Sequence, residues 1–280
     1  MRFRNQLGII GRLMNRICER FDRLVEKKEK GFVAYIGAGD PNLDLTRELT
    51  LAFDRVGVDV VELGVPFSDP LADGPVNQLA AQRGLESGTT LEGVFGAVSE
   101  IRKLSQVPIV LYIYYNLVHK RGLDRFVKDA ASAGVDGLLV LDLPPEEGAS
   151  YETAMEAAGL CNIYLIAPTT PGERMAYIVP RARGFIYYIS REGVTGMQEK
   201  VSDTIQEMTS RIHEYSDLPV AVGFGISNPD QARQVAVDAD AVVVGSAIVN
   251  RIAEIGNQPN LVPDVSGFVK TLVDAVKELK

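Results

Sequence analysis

Short apolar runs rich in Val, Ile, Leu and Tyr alternate with longer amphipathic stretches along most of the chain. Each run is nearly continuous, which is typical of parallel strands that are buried on both faces. The pattern predicts eight strands, at Phe32–Ile36, Val58–Leu63, Pro108–Ile113, Gly137–Leu141, Asn162–Ile166, Gly184–Ile189, Pro219–Val222 and Ala241–Val244.

Helices are predicted between the strands, where apolar residues recur at helical spacing. They are Leu43–Val56, Leu91–Leu104, Leu123–Ala133, Pro145–Ala158, Pro171–Val179, Ser202–Tyr215, Asn228–Val237 and Val265–Leu279. Strand–helix alternation repeated eight times favours a single (β/α)8 barrel, and 280 residues suit that fold. An open doubly wound sheet is the alternative, but Gly37-Ala38-Gly39-Asp40-Pro41 lacks the third glycine that often follows its first strand.

The first 20 residues are basic and partly amphipathic, and we interpret them as an extra N-terminal helix ahead of the barrel. Residues 1–13 are expected to form an extension, either disordered or helical, and residues 14–280 the catalytic barrel domain. Gly256–Ser266 is interpreted as a surface loop and not as a domain boundary. No apolar run approaches the roughly 18 residues of a membrane span, so no membrane association is expected.

Charge and sulfur content narrow the function classes. With 29 basic and 37 acidic residues the net charge is −8, which disfavours nucleic-acid binding. Cys18 and Cys161 form neither a disulfide framework nor a metal-ligand spacing, so reduced thiols in a cytoplasmic protein are expected. His119 and His213 belong to no ligand cluster, and no metal site is predicted.

Active sites of such barrels lie at the C-terminal ends of the strands. Glycines follow the last two strands, in Gly223-Phe224-Gly225 and Gly245-Ser246, where backbone amides and a helix N-terminus could hold a phosphate. Tight turns are the alternative there. Ser190–Met197, after the sixth strand, has the composition of a loop that closes over a substrate, or of an ordinary exposed loop.

The second strand carries two carboxylates at opposite ends. Asp59 lies near its start, where a structural role is expected, and Glu62 lies at the functional end. A glutamate inside an apolar strand needs either a chemical role, such as proton transfer, or a buried ion-pair partner. Asp73, in the following loop, could orient or deprotonate a second group, whereas Asp40 before a proline suits a turn or cap.

Four tyrosines lie in or just after predicted strands, namely Tyr35, Tyr112, Tyr114 and Tyr187. They could pack in the core or line an aromatic cavity at the barrel mouth, and the pattern leaves both open. Asp142 ends the fourth strand. It could be catalytic, cap the next helix or serve a partner surface.

The uninterrupted run Glu62–Pro75 resembles the signature of the tryptophan synthase alpha subunit family. The resemblance extends from about Ile17 to the C-terminus. It implies a (β/α)8 barrel that cleaves indole-3-glycerol phosphate to indole and glyceraldehyde 3-phosphate by a retro-aldol reaction. Further matching pieces occur in order at Gly39-Asp40-Pro41, Tyr115-Asn116, Asp142-Leu143-Pro144, Gly193-Val194-Thr195-Gly196, Gly223–Ser227 and Gly245–Val249.

Residue by residue, the resemblance implies that Glu62 is the acid–base carboxylate and that Asp73 orients and stabilises the indole nitrogen. The glycines after the last two strands match a phosphate cradle, and Thr195 with Gly196 matches a closing loop. The expected substrate-binding residues are Tyr35, Tyr112, Tyr114, Tyr187, Thr195, Gly196, Gly223, Phe224, Gly225, Gly245 and Ser246.

The family passes indole to a beta subunit that holds pyridoxal phosphate. The resemblance therefore implies an αββα complex and no cofactor in this chain itself. The expected contact surface includes Asp69, Pro70, Asn116 and Asp142.

Two positions depart from the family pattern. Asn77 stands where an apolar residue is usual, and Tyr112 is bulkier than the usual aliphatic residue. Both are expected to face the indole and could shift substrate preference. Two alternatives stay open: a catalytically weak regulatory partner of the beta subunit, and a stand-alone lyase that releases indole without one.

Overall fold

The computed structural model describes residues 15–189, 198–223 and 225–279. Within them lie nine strands and twelve α-helices, with two 3-10 turns at Pro145–Glu147 and Val179–Arg181. The strands are β1 Gly31–Gly37, β2 Val60–Gly64, β3 Ile109–Ile113, β4 Gly137–Val140, β5 Cys161–Asn162, β6 Tyr164–Ile166, β7 Ile186–Ile189, β8 Val220–Gly223 and β9 Ala241–Val244. The helices are α1 Arg16–Lys27, α2 Leu43–Arg55, α3 Pro75–Glu86, α4 Leu91–Arg102, α5 Tyr115–Arg121, α6 Leu123–Ala133, α7 Ala149–Ala158, α8 Gly172–Ile178, α9 Gln198–His213, α10 Pro229–Asp238, α11 Ser246–Ile255 and α12 Leu261–Lys277.

The sheet closes on itself because β5 and β6 are two halves of one predicted strand. All pairs are parallel, in the order β5-β4-β3-β2-β1-β9-β8-β7-β6. Only Ile163 separates β5, which pairs with β4, from β6, which pairs with β7. The amide of Ile163 donates to the carbonyl of Leu138 at 2.9 Å and keeps the ladder continuous. The predicted (β/α)8 barrel is therefore confirmed.

Side chains alternate between two packed layers, as the strand period requires. One layer lies between the sheet and the surrounding helices and contains most of the core. The other fills the barrel interior, where Val33, Val110 and Ala221 pack with Ile17 and Phe21 of α1. Helix α1 therefore closes one end of the barrel, and the predicted N-terminal helix is confirmed. The extension predicted at residues 1–13 lies outside the described residues.

The closed end of the barrel is held by buried carboxylates. Asp59 accepts a hydrogen bond from the amide of Phe32 at 2.8 Å and pairs with Lys277 at 2.7 Å. Asp136 pairs with Arg102 at 2.6 Å and Arg16 at 2.8 Å. The structural role predicted for Asp59 is confirmed.

Helix α3 was absent from the sequence prediction, and it positions the loop that carries Asp73. Its pattern is weak because only Ala80 and Gly84 are buried. A Cβ on Gly84 would lie 2.9 Å from the carbonyl oxygen of Ala38, so a glycine lets this helix pack closely on the end of β1. No helix among the described residues is long and apolar enough to cross a membrane.

Asp40 lies in the turn after β1, as expected, where its amide donates to the carbonyl oxygen of Gly37 at 3.3 Å, and it also has a role that was not predicted. It is almost fully buried, and its two oxygens accept hydrogen bonds from Arg83 of α3 at 2.8 and 2.7 Å. This two-point ion pair ties the end of β1 to α3. The partner lies 43 residues away in the chain, so local sequence could not indicate it.

Candidate active site

A cavity of about 240 Å³ opens at the C-terminal ends of the strands. It brings together eight of the predicted site residues: Tyr35, Asp73, Tyr112, Tyr187, Gly223, Gly225, Gly245 and Ser246. Asn77, Leu141, Leu165, Ile189, Ile226 and Val243 line it as well. The predicted residues Thr195, Gly196 and Phe224 lie outside the described residues. Most of the substrate site inferred from separate loops therefore converges on one cavity.

Glu62 lies in the barrel interior, where the register of β2 aligns it with Tyr35 of β1 and Val110 of β3. The residue is fully buried, and neither carboxylate oxygen has a hydrogen-bond partner among the described residues. Burial raises the pKa of Glu62 to about 8. No ion-pair partner of Glu62 lies among the described residues, and a pKa of about 8 keeps the proton on the side chain at neutral pH.

Asp73 is held by two tyrosines. The hydroxyl of Tyr112 donates to one carboxylate oxygen at 2.7 Å, and the hydroxyl of Tyr114 donates to the other at 2.8 Å. The Tyr114 hydroxyl also accepts a hydrogen bond from the amide of Ala72 at 2.9 Å. Burial and the Asp73 charge raise the pKa of Tyr112 above its ordinary value, so that hydroxyl remains a donor. Asp73 is thus fixed as an acceptor.

Glycines make room for the tyrosine hydroxyls around Glu62. A Cβ on Gly64 would lie 2.3 Å from the hydroxyl oxygen of Tyr35, and one on Gly223 would lie 3.0 Å from that of Tyr187. Gly64 follows Glu62 by two residues toward the barrel mouth and is on the same face. The Tyr35 ring packs edge-on against Tyr112, with 5.0 Å between the ring centroids.

The end of the cavity that suits an anion such as phosphate lies at the start of α11. Gly245 precedes this helix, and its carbonyl accepts from the amides of Ile248 and Val249. The amides of Ser246 and Ala247 belong to the first turn, which has no earlier carbonyl within the helix to bond. A ten-residue helix whose first turn opens on a cavity favours an anion there.

Of the predicted partner residues, Asp69, Pro70 and Asp142 lie in loops and Asn116 lies in the first turn of α5. Asp69, Asn116 and Asp142 are exposed, and Pro70 is half-buried. Asp142 accepts a hydrogen bond from the amide of Tyr115 at 2.6 Å and so caps the start of α5. Leu71, in the same loop as Asp69, is 91% exposed, a large apolar side chain that sequence reasoning did not single out.

The two unusual positions, Asn77 and Tyr112, both line the cavity, as expected. The hydrogen bond from Tyr112 to Asp73 was not predicted, because it joins β3 to a loop 39 residues earlier. The amide oxygen of Asn77 is buried without a hydrogen-bond partner among the described residues. Within those residues no group of His, Cys, Asp and Glu could hold a metal ion.

Fold and site together define a (β/α)8-barrel enzyme of the acid–base type. A fixed carboxylate and an anion-binding helix start line one cavity, and the protonated carboxyl of Glu62 is buried in the barrel interior without lining that cavity. A family model described as "Tryptophan synthase alpha chain" matches residues 21–277. The chain belongs to this family. It is a carbon–carbon lyase of tryptophan biosynthesis, acting on indole-3-glycerol phosphate.

Similar proteins of this family align with nearly the whole length of the chain. The chain is 52% identical over 265 residues to the tryptophan synthase alpha chain of Opitutus terrae, covering 94% of this chain and 100% of that one. It is 47% identical to that of Citrifermentans bemidjiense, covering 94% and 98%. Tryptophan synthase subunit alpha from Legionella pneumophila superposes with a TM-score of 0.87 at 35% identity, covering 95% of this chain and 100% of that one.

Proposed function

We propose that Glu62 performs both proton transfers of the cleavage. Protonated Glu62 donates its proton to indole C3, which converts the ring to an indolenine with positive charge at nitrogen. The resulting carboxylate removes the proton from the adjacent glycerol hydroxyl. The C–C bond then breaks, its electrons return to the ring, and indole and glyceraldehyde 3-phosphate form. Glu62 ends protonated, so the cycle is balanced.

The burial of Glu62 is the observation that carries this proposal. A pKa of about 8 keeps the proton on the side chain at neutral pH, so the acid is ready for the first transfer. Since the carboxyl is fully covered, its side chain must rotate toward the cavity when substrate binds. Such a rotation would break no hydrogen bond of the carboxyl with the described residues.

Asp73 takes the complementary role of stabilising the positive charge on the indole nitrogen. Two tyrosine hydroxyls fix its oxygens and leave further lone pairs for the ring N–H. The negative charge then lies where positive charge develops, which lowers the barrier most when the group is already oriented.

Substrate binding divides between the two ends of the cavity. The aromatic ring lies among Tyr35, Tyr112 and Tyr187, and the phosphate binds at the start of α11 beside the glycines of β8. Thr195 and Gly196 match the family's closing loop, and Phe224 matches its phosphate cradle, so we infer that these residues complete the site. The steps require only proton transfer, so we infer that this chain uses no cofactor of its own.

The loop that carries Asp69, Pro70 and Leu71 is the proposed docking surface for a beta subunit, together with Asn116 and Asp142. Leu71 is 91% exposed, so a partner that covers this loop would bury a large apolar side chain. The partner would hold pyridoxal phosphate and receive indole, in an αββα complex in the cytoplasm.

Turnover of indole-3-glycerol phosphate, with and without a beta subunit, tests the function directly. Indole release that accelerates on adding the beta subunit is the expected result. Equal rates with and without it would favour the stand-alone lyase. No release in either condition, with activation of the beta subunit retained, would favour the regulatory partner.

The docking surface is tested with Leu71→Asp. We expect at least tenfold weaker binding to the beta subunit by titration calorimetry, because a central apolar contact becomes a buried charge. Leu104→Asp is the matched control, since Leu104 is 75% exposed and follows α4 at the opposite end of the barrel. Equal affinities for the Leu71 and Leu104 variants would exclude this surface.

A further inference from the structure

Asn77 is a half-buried residue whose buried amide oxygen has no role in the proposed reaction. It is the third residue of α3, and its amide oxygen is buried without a hydrogen-bond partner among the described residues. The neighbouring Gln78, by contrast, donates to the carbonyl oxygen of Asp73 at 2.9 Å. A buried acceptor without a donor destabilises a fold, so its presence in a cavity wall indicates that a ligand supplies the donor.

The position of Asn77 identifies the part of the substrate that it faces. The residue lines the cavity together with Asp73 and with Gly245 and Ser246 at the start of α11. Helix α3 packs against α11, so the α3 wall continues directly into that anion-binding end. Asn77 thus lies between the carboxylate proposed for the indole nitrogen and the helix start proposed for the phosphate.

We propose that Asn77 accepts a hydrogen bond from a hydroxyl of the three-carbon chain that joins the indole ring to the phosphate, and so selects hydroxylated substrates. This inference rests on the proposed function. A site that hydrogen-bonds a substrate hydroxyl rejects an analogue lacking it, because the buried acceptor is then left without a partner. A neutral amide does this without repelling the phosphate.

The Asn77→Leu variant separates this role from a structural one. Leucine has a similar volume and removes the acceptor that lacks a partner. Without substrate, the variant should therefore melt at the same temperature as the wild type or about 2–4 °C higher. A side chain needed for the fold would give a lower melting temperature instead.

The decisive measurement compares two ligands. Kinetics with indole-3-glycerol phosphate give kcat/KM, and competitive inhibition by indole-3-propanol phosphate, whose chain lacks both hydroxyls, gives an inhibition constant. For Asn77→Leu we expect kcat/KM to fall about tenfold, the loss of one hydrogen bond, while the inhibition constant changes less than about twofold or tightens. Gln82→Leu, an exposed amide on the same helix, should change neither value.

Two outcomes overturn the inference. Equal weakening of both ligands would mean that Asn77 only shapes the cavity, and unchanged kinetics would mean that it does not contact the hydroxyls. If the leucine variant is unstable, Asn77→Ala is measured with the same two ligands and must give the same selective loss. Wild-type turnover is measured first, so failure of the proposed function is seen separately as absent indole release.

Discussion

Replacing Glu62 by glutamine is the sharpest test of the site, because it changes one atom and removes the proton that the mechanism moves. Glutamine fills the same volume and stays neutral. Since one carboxyl is proposed to transfer the proton in both directions, we expect indole release to fall at least about a thousandfold. Binding of indole-3-propanol phosphate should change little, because Glu62 is fully buried and does not line the cavity in the absence of substrate.

The same substitution should stabilise the fold, by an amount that depends on pH. Burial raises the pKa of Glu62 from 4.5 to about 8, so ionising it costs about 5 kcal/mol more in the fold than in the unfolded chain. Below pH 4.5 both states carry the proton and no penalty exists. As pH rises, the unfolded chain loses its proton first, which favours unfolding of the wild type. Relative to the wild type, the free energy of unfolding of the glutamine variant should therefore be higher by about 1 kcal/mol or less at pH 5, about 3 kcal/mol at pH 7 and about 4 kcal/mol at pH 8.

Urea unfolding at several pH values measures this gain, and indole release measures the activity. Glu48→Gln is the control, because Glu48 is exposed on α2 and the substitution makes the same chemical change outside the barrel interior. The control should keep its activity and show no pH-dependent gain. Retained turnover in the Glu62 variant would refute its catalytic role, and a stability gain that is flat from pH 5 to 8 would refute its desolvated state.

Three further predictions concern the same cavity. The kcat/KM for indole-3-glycerol phosphate should fall about tenfold per pH unit above about 8, where Glu62 loses its proton, and a profile that stays flat to pH 9.5 would contradict this. Tyr112→Phe should lower kcat/KM about tenfold to a hundredfold in steady-state assays by removing one of two hydrogen bonds to the loop carboxylate; unaltered kinetics would mean that this bond is dispensable. Gly64→Ala should lower the free energy of unfolding in urea by about 1–3 kcal/mol, since its Cβ would lie 2.3 Å from the Tyr35 hydroxyl, whereas Gly74→Ala, with open space around it, should have a much smaller effect.

The barrel could be predicted because its strands are buried on both faces and its outer helices are amphipathic. Helix α3 escaped prediction because it buries only Ala80 and Gly84, small residues that leave no apolar stripe. The break between β5 and β6 at Ile163 escaped for a different reason. The break arises because β5 pairs with β4 whereas β6 pairs with β7, and local periodicity does not indicate which strands pair.

Part of the site followed from chain position alone. Glu62 could be singled out because a charged residue at the C-terminal end of an apolar barrel strand is costly and lies at the functional end. Its lack of a partner among the described residues could not be foreseen, since a buried ion pair produces the same sequence pattern. Likewise, Tyr112 could be recognised as a bulky residue. Only the packing of β3 beside the Asp73 loop shows that its hydroxyl donates a hydrogen bond to Asp73.

The two carboxylates of the site have opposite environments, and this difference supports their proposed roles more strongly than their positions do. Asp73 receives a hydroxyl on each oxygen, which fixes its geometry and suits a group that must hold a charge in place. Glu62 receives no hydrogen bond from the described residues, which raises its pKa and leaves its side chain able to rotate with its proton. A proton carrier has to be desolvated and movable, whereas a charge stabiliser has to be solvated by fixed donors and stationary. Exchanging the two environments, for example by giving Glu62 a permanent donor, would lower its pKa and remove the acid on which the first step depends.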